Sequence, residues 1–223
     1  MGKLFNLDSP IMNFLSKMAD LIWLNVLAFI CCIPIFTIGA SMTSLHYVVL
    51  KLVRDEESYI TQAFFKSFKQ NFKQATIIWL IMMAFIIVWV ADFLVFRYSQ
   101  TEFPNWLKVA LMAIGAVAIF ATAHIFPILS KFDNTIRNTF KNSLFMGILN
   151  LPKTILMMVC WVIPIFIVAY FMQALPVVLA FGISGPAFLN ALLYNKSFKR
   201  FEPEEELVSD AEWTITANEE EEN

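Results

Sequence analysis

The sequence contains few cysteines, glycines and histidines. It contains 3 cysteines, 6 glycines and 2 histidines among 223 residues. The cysteines, Cys31, Cys32 and Cys160, all lie within apolar runs, where a thiol behaves as a small hydrophobic group. We therefore interpret them as packing residues and expect no disulfide framework.

Acidic residues are scarce over most of the chain and are concentrated at one end. Residues 1–200 hold eight acids against sixteen basic residues, whereas residues 201–223 hold ten acids and no lysine or arginine. The net charge of −2 thus conceals a basic body and an acidic tail, and neither points to nucleic acid binding. We predict a transmembrane domain over 1–200 and a disordered cytoplasmic tail over 201–223, which has too few apolar residues to form a core.

Apolar residues are abundant: they make up 59% of the chain, and the mean hydropathy is +0.66. A transmembrane helix requires ~20 mostly apolar residues, and runs near that length recur along the sequence. The runs are residues 21–36, 40–53, 75–96, 106–129, 154–172 and 175–194. The predicted fold class is all-α, a polytopic transmembrane bundle of about six membrane helices that uses the lipid bilayer as its solvent.

The basic residues predict the orientation of this bundle, because cytoplasmic loops collect lysine and arginine. With six crossings and the N-terminus inside, fourteen of the sixteen basic residues face the cytoplasm. Only Arg97 and Lys108 then lie outside. We expect a multi-pass protein of the bacterial cytoplasmic membrane with both termini in the cytoplasm.

The first hairpin leaves two alternatives open. A helix over 17–32 is followed by "PIFTIG" and by a second helix over 40–53, which is short for a full crossing. Pro34 removes a backbone donor and Gly39 weakens a continuous helix. Either the second helix reaches half depth and is sheltered by protein, or the segment is a kink in one long helix and the chain crosses five times.

A spacing shared by the two histidines indicates a possible parallel internal repeat. His46 precedes Asp55 as His124 precedes Asp133, and both pairs are related by a shift of 78 residues. Each unit is predicted to contain a helix that enters the cytoplasm, a short acidic turn, an amphipathic helix and a new membrane helix. The new membrane helices are expected to begin near residues 75 and 154.

The two predicted amphipathic helices each combine an apolar stripe with a basic face. The stripes recur every four residues, at Ile60, Phe64, Phe68 and Phe72 and at Ile136, Phe140, Leu144 and Ile148. Such helices can lie in the headgroup layer, or they can pack together as a platform for a partner protein. The residues expected to contact a partner are Phe64, Lys66, Phe68, Lys69, Lys73, Arg137, Phe140 and Lys141.

Polar residues within the membrane runs are the remaining candidates for a site. Asp92 lies near the end of its run and close to Arg97, which favours an interfacial ion pair or headgroup contact over a proton or ion site. His46 and His124 are expected to donate hydrogen bonds to neighbouring helices. No phosphate-binding glycine loop, Cys-x-x-Cys or nucleophile–base spacing occurs, so we expect no catalytic residues, no cofactor and no metal.

Three segments carry a resemblance to a known family. They are "NLDSPIMNFLSKMADLIWLNVLAFICCIPIFTIGAS", "HYVVLKLVRDEESYITQAFFKSFKQNFKQATIIWL" and "FDNTIRNTFKNSLFMGILNLPKT". Over residues 4–198 the chain resembles the YesL-like family of bacterial integral membrane proteins. The family has no established activity, but its members are commonly encoded beside carbohydrate ABC importers.

The resemblance implies a non-enzymatic accessory or regulatory component of carbohydrate uptake, with importer subunits as partners. The alternative from the residues is a transporter or channel for a small solute or ion. The particular sugar, the partner and any self-association stay open.

Overall fold

The computed structural model describes residues 10–56, 59–98 and 104–202. This part of the chain is α-helical without a β-strand, which confirms the predicted fold class. Eight α-helices occur in it: α1 (Pro10–Cys32), α2 (Ile38–Val53), α3 (Ile60–Tyr98), α4 (Asn105–Lys131), α5 (Ile136–Leu149), α6 (Leu151–Tyr170), α7 (Leu175–Phe181) and α8 (Ser184–Phe198).

Helix length and composition are those of a membrane-embedded bundle. Within the described residues, five helical segments are long and apolar enough to cross a bilayer, and the bent pair formed by α7 and α8 raises the number to six. The difference between five and six depends on the α7–α8 pair and not on the first two helices, where the sequence left the two alternatives open. The predicted last run, residues 175–194, is not one straight helix, because α8 bends 56° away from the segment before it.

Helices α1 and α2 form a hairpin rather than one kinked helix. The chain reverses at Pro34 and the short 3-10 turn Ile35–Thr37. Across the hairpin, the hydroxyl of Ser41 donates to the carbonyl of Ala28 at 3.1 Å. The missing donor of Pro34 ends the first helix, as the sequence indicates.

Helix α2 is the central helix of the bundle. It packs on α1, α3, α4 and α8. Its apolar window is 61% buried, whereas the windows of the other four single spans are 11–28% buried. Protein thus covers most of a helix of only 16 residues, which agrees with the alternative of a short, sheltered helix.

Close contact between α2 and α3 depends on Gly39. A Cβ atom at this position would lie 2.5 Å from the carbonyl oxygen of Ala75 and 2.7 Å from Cβ of Trp79. The indole of Trp79 also donates to the carbonyl of Ile35 at 2.8 Å. The early part of α3 therefore runs back along α2.

Helix α3 combines two elements that the sequence predicted as separate. The amphipathic stretch from residue 60 and the membrane run from residue 75 form one helix of 39 residues, about 58 Å long. The predicted boundary near residue 75 is wrong, because α3 contains neither glycine nor proline to end the helix there.

The second amphipathic helix does end before its membrane helix. Helix α5 stops at Leu149, Asn150 leaves helical geometry with φ −115° and ψ 38°, and α6 starts at Leu151. Pro152 in the first turn of α6 cannot continue the hydrogen-bonding pattern of α5, because it has no N–H. The proline explains why α5 and α6 are separate while α3 is continuous.

Two parts of the bundle correspond to the predicted repeat units. The first unit is α2 with the start of α3, and the second unit is the end of α4 with α5. His46 and His124 each lie seven residues before the end of their helix, at Val53 and Lys131. The second helix of each unit begins with isoleucine, at Ile60 or Ile136. The turns between differ by two residues, so the helices that follow them are related by a shift of 76 rather than 78.

Candidate functional site

Five basic side chains form the candidate interaction surface, which we call the cationic surface. All five are exposed. Within residues 10–56, 59–98 and 104–202, none of them forms an ion pair with an acidic side chain. The cationic surface consists of Lys66, Lys69 and Lys73 on α3 and Arg137 and Lys141 on α5.

The apolar stripes of the two helices meet beneath this surface. Phe68 and Phe72 of α3 and Ile136 and Phe140 of α5 pack on one buried cluster that contains Ala75, Ile125 and Leu129. The side-chain amide of Gln74 also donates to the backbone carbonyl of Asn134, in the turn before α5. The basic faces are therefore carried by helices that share one packing layer.

The aromatic residues predicted to contact a partner are less accessible than the basic ones. Phe64 is 0% exposed and belongs to the core around α2, so its side chain is not part of the surface in this structure. Phe68 and Phe140 are partly buried. Their direct contact with a partner stays a prediction, and their observed contacts join the helices to the bundle.

The predicted stripe on α5 is displaced by its packing on α4. Ile148 is 54% exposed, contrary to its place in the stripe, while Thr139, Ser143 and Gly147 are buried. A Cβ atom at Gly147 would lie 3.1 Å from the carbonyl oxygen of Phe120, so the two helices approach closely. Small side chains at intervals of four residues allow this approach.

The two histidines are buried and bind neighbouring helices, as their apolar surroundings predict. Nδ1 of His46 lies 3.2 Å from the phenol oxygen of Tyr194 on α8. Nε2 of His124 lies 2.9 Å from the hydroxyl of Thr154 on α6, which also donates to backbone carbonyls of α5 and the turn after it. Nδ1 of His124 is buried without a hydrogen-bond partner in the described part of the chain.

Asp92 is exposed, and the structure shows no ion pair between it and Arg97. The predicted contact is absent because residues five positions apart do not share a helix face, whereas positions three or four apart do. A headgroup contact for Asp92 stays a prediction.

A buried ion cluster closes the end of the bundle at which α2 and α4 terminate. The guanidinium of Arg54 binds both carboxylate oxygens of Glu202, and its Nε donates to the side-chain oxygen of Asn195 at 3.0 Å. Lys131, at the end of α4, lies 3.8 Å from the same carboxylate. The side chain of Glu202 is completely buried, so the fold extends two residues past the predicted domain boundary at 200.

The rest of the predicted tail, residues 203–223, lies outside the described residues. Sequence reasoning missed the ion cluster because its members are far apart in the chain: Arg54 and Glu202 are separated by 148 residues. The available signal was weak. It consisted of a basic residue at the end of two corresponding helices and an acid shortly after α8.

Asn25 of α1 is a second residue whose role the sequence did not reveal. Its side-chain oxygen accepts hydrogen bonds from the backbone N–H groups of Ile183 and Ser184, both at 2.9 Å. Its amide donates to the carbonyl of Leu179 at 2.7 Å. Asn25 thereby satisfies backbone groups that the break between α7 and α8 leaves free, which lipid could not do.

Among residues 10–56, 59–98 and 104–202, no three histidine, cysteine, aspartate or glutamate side chains are grouped closely enough to hold a metal ion. The arrangement can bind an anionic surface at the cationic surface, and it can hold broken helices together through buried polar contacts.

Comparison with known proteins gives one match. A family model described as "Protein of unknown function, DUF624" matches residues 21–93, about a third of the 223 residues. The match covers about half of α1, all of α2 and most of α3. No curated protein and no solved structure matches the chain. Over residues 21–93 the chain is thus similar to a family of proteins of unknown function.

Proposed function

We propose that this protein is a non-enzymatic accessory or regulatory membrane protein that binds a cytoplasmic partner at the cationic surface. The observation that carries the proposal is the shared packing layer of α3 and α5. Their apolar residues are used inside the bundle, and their basic residues remain exposed and unpaired within the described residues.

Orientation supports the same proposal. Lysine and arginine collect on the cytoplasmic side of a membrane, and the cationic surface lies on helices that begin at the basic end of the bundle. A partner that binds there presents acidic groups, since complementary charge directs encounter and selects the partner. The resemblance to YesL-like proteins supports subunits of a carbohydrate ABC importer as that partner.

Charge reversal tests the proposal. The triple variant K66E/K69E/K73E is expected to lose at least ten-fold in co-purification with importer permease or ATPase subunits, because each exposed lysine becomes a repulsive group. The measurement is quantitative mass spectrometry after affinity purification of the full chain from bacterial membranes in mild detergent.

The chain provides a matched control with the same change of charge. Lys196, Lys199 and Arg200 are also exposed and lie at the end of α8. K196E/K199E/R200E is expected to retain importer subunits and normal membrane insertion. The proposal is wrong if no importer subunit is enriched with the wild-type chain, or if both triple variants retain these subunits equally.

A specific feature favours a second function, transport of a small solute or ion by this chain alone. The break between α7 and α8, bound by Asn25, resembles the discontinuous helices that line transporter sites. This alternative predicts flux of sugars or ions into vesicles that contain only this protein. Flux no higher than in empty vesicles across such a panel would exclude transport of the solutes tested.

A further inference from the structure

An apolar groove runs between α3 and α4 on the surface of the bundle. Its larger part is a cavity of about 370 Å³ lined by α3, α4 and Phe140, with Met82, Gly115 and Ala118 among its walls. A second cavity of about 170 Å³ continues the groove toward the end of α3. Both cavities are lined by Trp89, so they adjoin at this side chain.

Trp89 also connects the two helices that line the groove. Its indole donates to the carbonyl of Leu111 at 3.1 Å, which ties α3 to α4. A Cβ atom at Gly115 would lie 2.5 Å from the indole ring, so the ring packs closely on α4 at this glycine. The two helices are therefore joined at Trp89, where the two cavities adjoin.

Among the described residues that line the groove, charged side chains occur at its outer end alone. Arg97 and Lys108 both line the smaller cavity, beside Phe93 and Met112. They are the two basic residues that the predicted topology leaves outside the cytoplasm. Neither forms an ion pair in the described part of the chain. Asp92, the nearest acid on α3, does not line the groove.

Neighbouring aromatic residues place this end at the level of lipid headgroups. Tyr98 is 79% exposed and follows Arg97 directly, and Trp106 is 70% exposed and lies two residues before Lys108. Exposed tyrosine and tryptophan are enriched where the hydrocarbon meets the headgroups. The two basic side chains are therefore at the depth at which a lipid phosphate lies.

The dimensions match one lipid chain below that phosphate. From Ile81 to Arg97 the groove follows about 24 Å of helix α3. One leaflet contributes ~15 Å of hydrocarbon, half of a ~30 Å core. An acyl chain that begins at Arg97 and Lys108 can thus remain in the groove over its whole depth in the leaflet.

We propose that the α3–α4 groove is a binding site for an anionic membrane phospholipid, with the phosphate held by Arg97 and Lys108 and one acyl chain lying past Trp89. Arginine binds phosphate through two parallel hydrogen bonds, and lysine adds a second charge. A zwitterionic lipid carries its own cation and gains less from this pair.

Native mass spectrometry of the full chain in detergent tests the site. The probes are phosphatidylglycerol and phosphatidylcholine with the same acyl chains. We expect the wild-type chain to bind phosphatidylglycerol at least ten-fold more tightly, and R97Q/K108Q to lose this preference. R97K/K108R is expected to keep it, which separates lost charge from misfolding. K196Q/K199Q, with the same loss of charge at the end of α8 and away from the groove, is expected to match the wild type.

A second variant tests the apolar part independently. Ala118→Phe places a ring in the larger cavity and is expected to weaken phosphatidylglycerol binding at least five-fold with the basic pair intact. Phosphatidylglycerol with a photoreactive group at the end of its acyl chain should label residues 81–90 and 115–125. Inorganic phosphate at the same concentration should not displace the lipid.

The proposal is overturned if R97Q/K108Q retains the lipid preference or if labelling is spread evenly over the exposed faces of α1 and α6. It is also overturned if inorganic phosphate displaces the lipid at equal concentration, since the site would then bind the ion and not the lipid.

Discussion

The two repeat units bury the same positions by different means. In the first unit, Ala63 and Ser67 are buried on α3, which packs on the central helix α2. In the second unit, Thr139 and Ser143 are buried at the corresponding positions of α5, which packs on α4. Yet α2 is covered on most sides, whereas only the last turns of α4 are buried continuously. The same local pattern can thus serve a central helix and a peripheral one.

This difference shows that the repeated sequence pattern specifies how two helices pair, but not where the pair lies in the bundle. Each unit forms a helical pair with its buried histidine near the end. His46 then contacts α8 through Tyr194, while His124 contacts α6 through Thr154. The surroundings of each pair come from other parts of the chain, and the ion cluster at Glu202 joins the ends of both.

Removing the basic side chain at the end of each unit should produce the largest difference between the units in the free energy of unfolding. Arg54→Met leaves the buried carboxylate of Glu202 without its main partner and should destabilise the protein by about 3–5 kcal/mol. Lys131→Met should cost about 1 kcal/mol or less, because Lys131 is more exposed and its contact is 3.8 Å long. The measurement is unfolding in mixed micelles with increasing sodium dodecyl sulfate. Equal losses would show that Glu202 binds both units alike.

Adding one methyl group at a helix contact of each unit should give a smaller difference in the free energy of unfolding. Gly39→Ala places Cβ 2.5 Å from a backbone oxygen and is expected to cost about 1–3 kcal/mol. Gly147→Ala meets its nearest atom at 3.1 Å and should cost less than about 1 kcal/mol. Gly185→Ala, with its nearest atom at 3.5 Å, is the control for added helix propensity. A greater loss for Gly147→Ala would reverse the order of packing in the two units.

The histidine contacts should give the smallest difference in unfolding free energy between the two units. Tyr194→Phe removes one hydrogen bond from His46 and is expected to cost about 1 kcal/mol. Thr154→Val should cost about 2 kcal/mol, because His124 then has neither of its ring nitrogens bound in the described structure. The same unfolding measurement compares the two variants. A loss for Tyr194→Phe that equals or exceeds the loss for Thr154→Val would contradict this order.

Much of the fold could be predicted because its signals are local. The apolar runs gave the helical class and five to six membrane segments, and Pro34 gave the first reversal as one of two alternatives. The unbroken α3 was missed, although the stretch from residue 60 to residue 98 contains no glycine or proline. The change from amphipathic to uniformly apolar composition predicted the end of one helix and the start of another. In the structure it marks a change of surroundings along a single helix.

The candidate site was predictable only in part. The lysines and arginine of the cationic surface were identified because charge opposite an apolar stripe is a periodic pattern. The burial of Phe64 and the exposure of Ile148 were not predicted. Periodicity shows which residues share one side of a helix, but it does not show which side a neighbouring helix covers. Asn25 interrupts its apolar run as a single polar residue. This position indicates that its side chain forms a buried hydrogen bond, but it does not identify the partner.

The sequence by itself determined that the chain forms apolar helices and that its charge is divided between a basic body and an acidic tail. Both properties follow from composition and short-range spacing. Only the tertiary structure decided that α2 is central, that Asn25 holds the α7–α8 break and that Arg54, Lys131 and Glu202 form one cluster. Those contacts join residues far apart in the chain, and their energies depend on burial that no local pattern encodes.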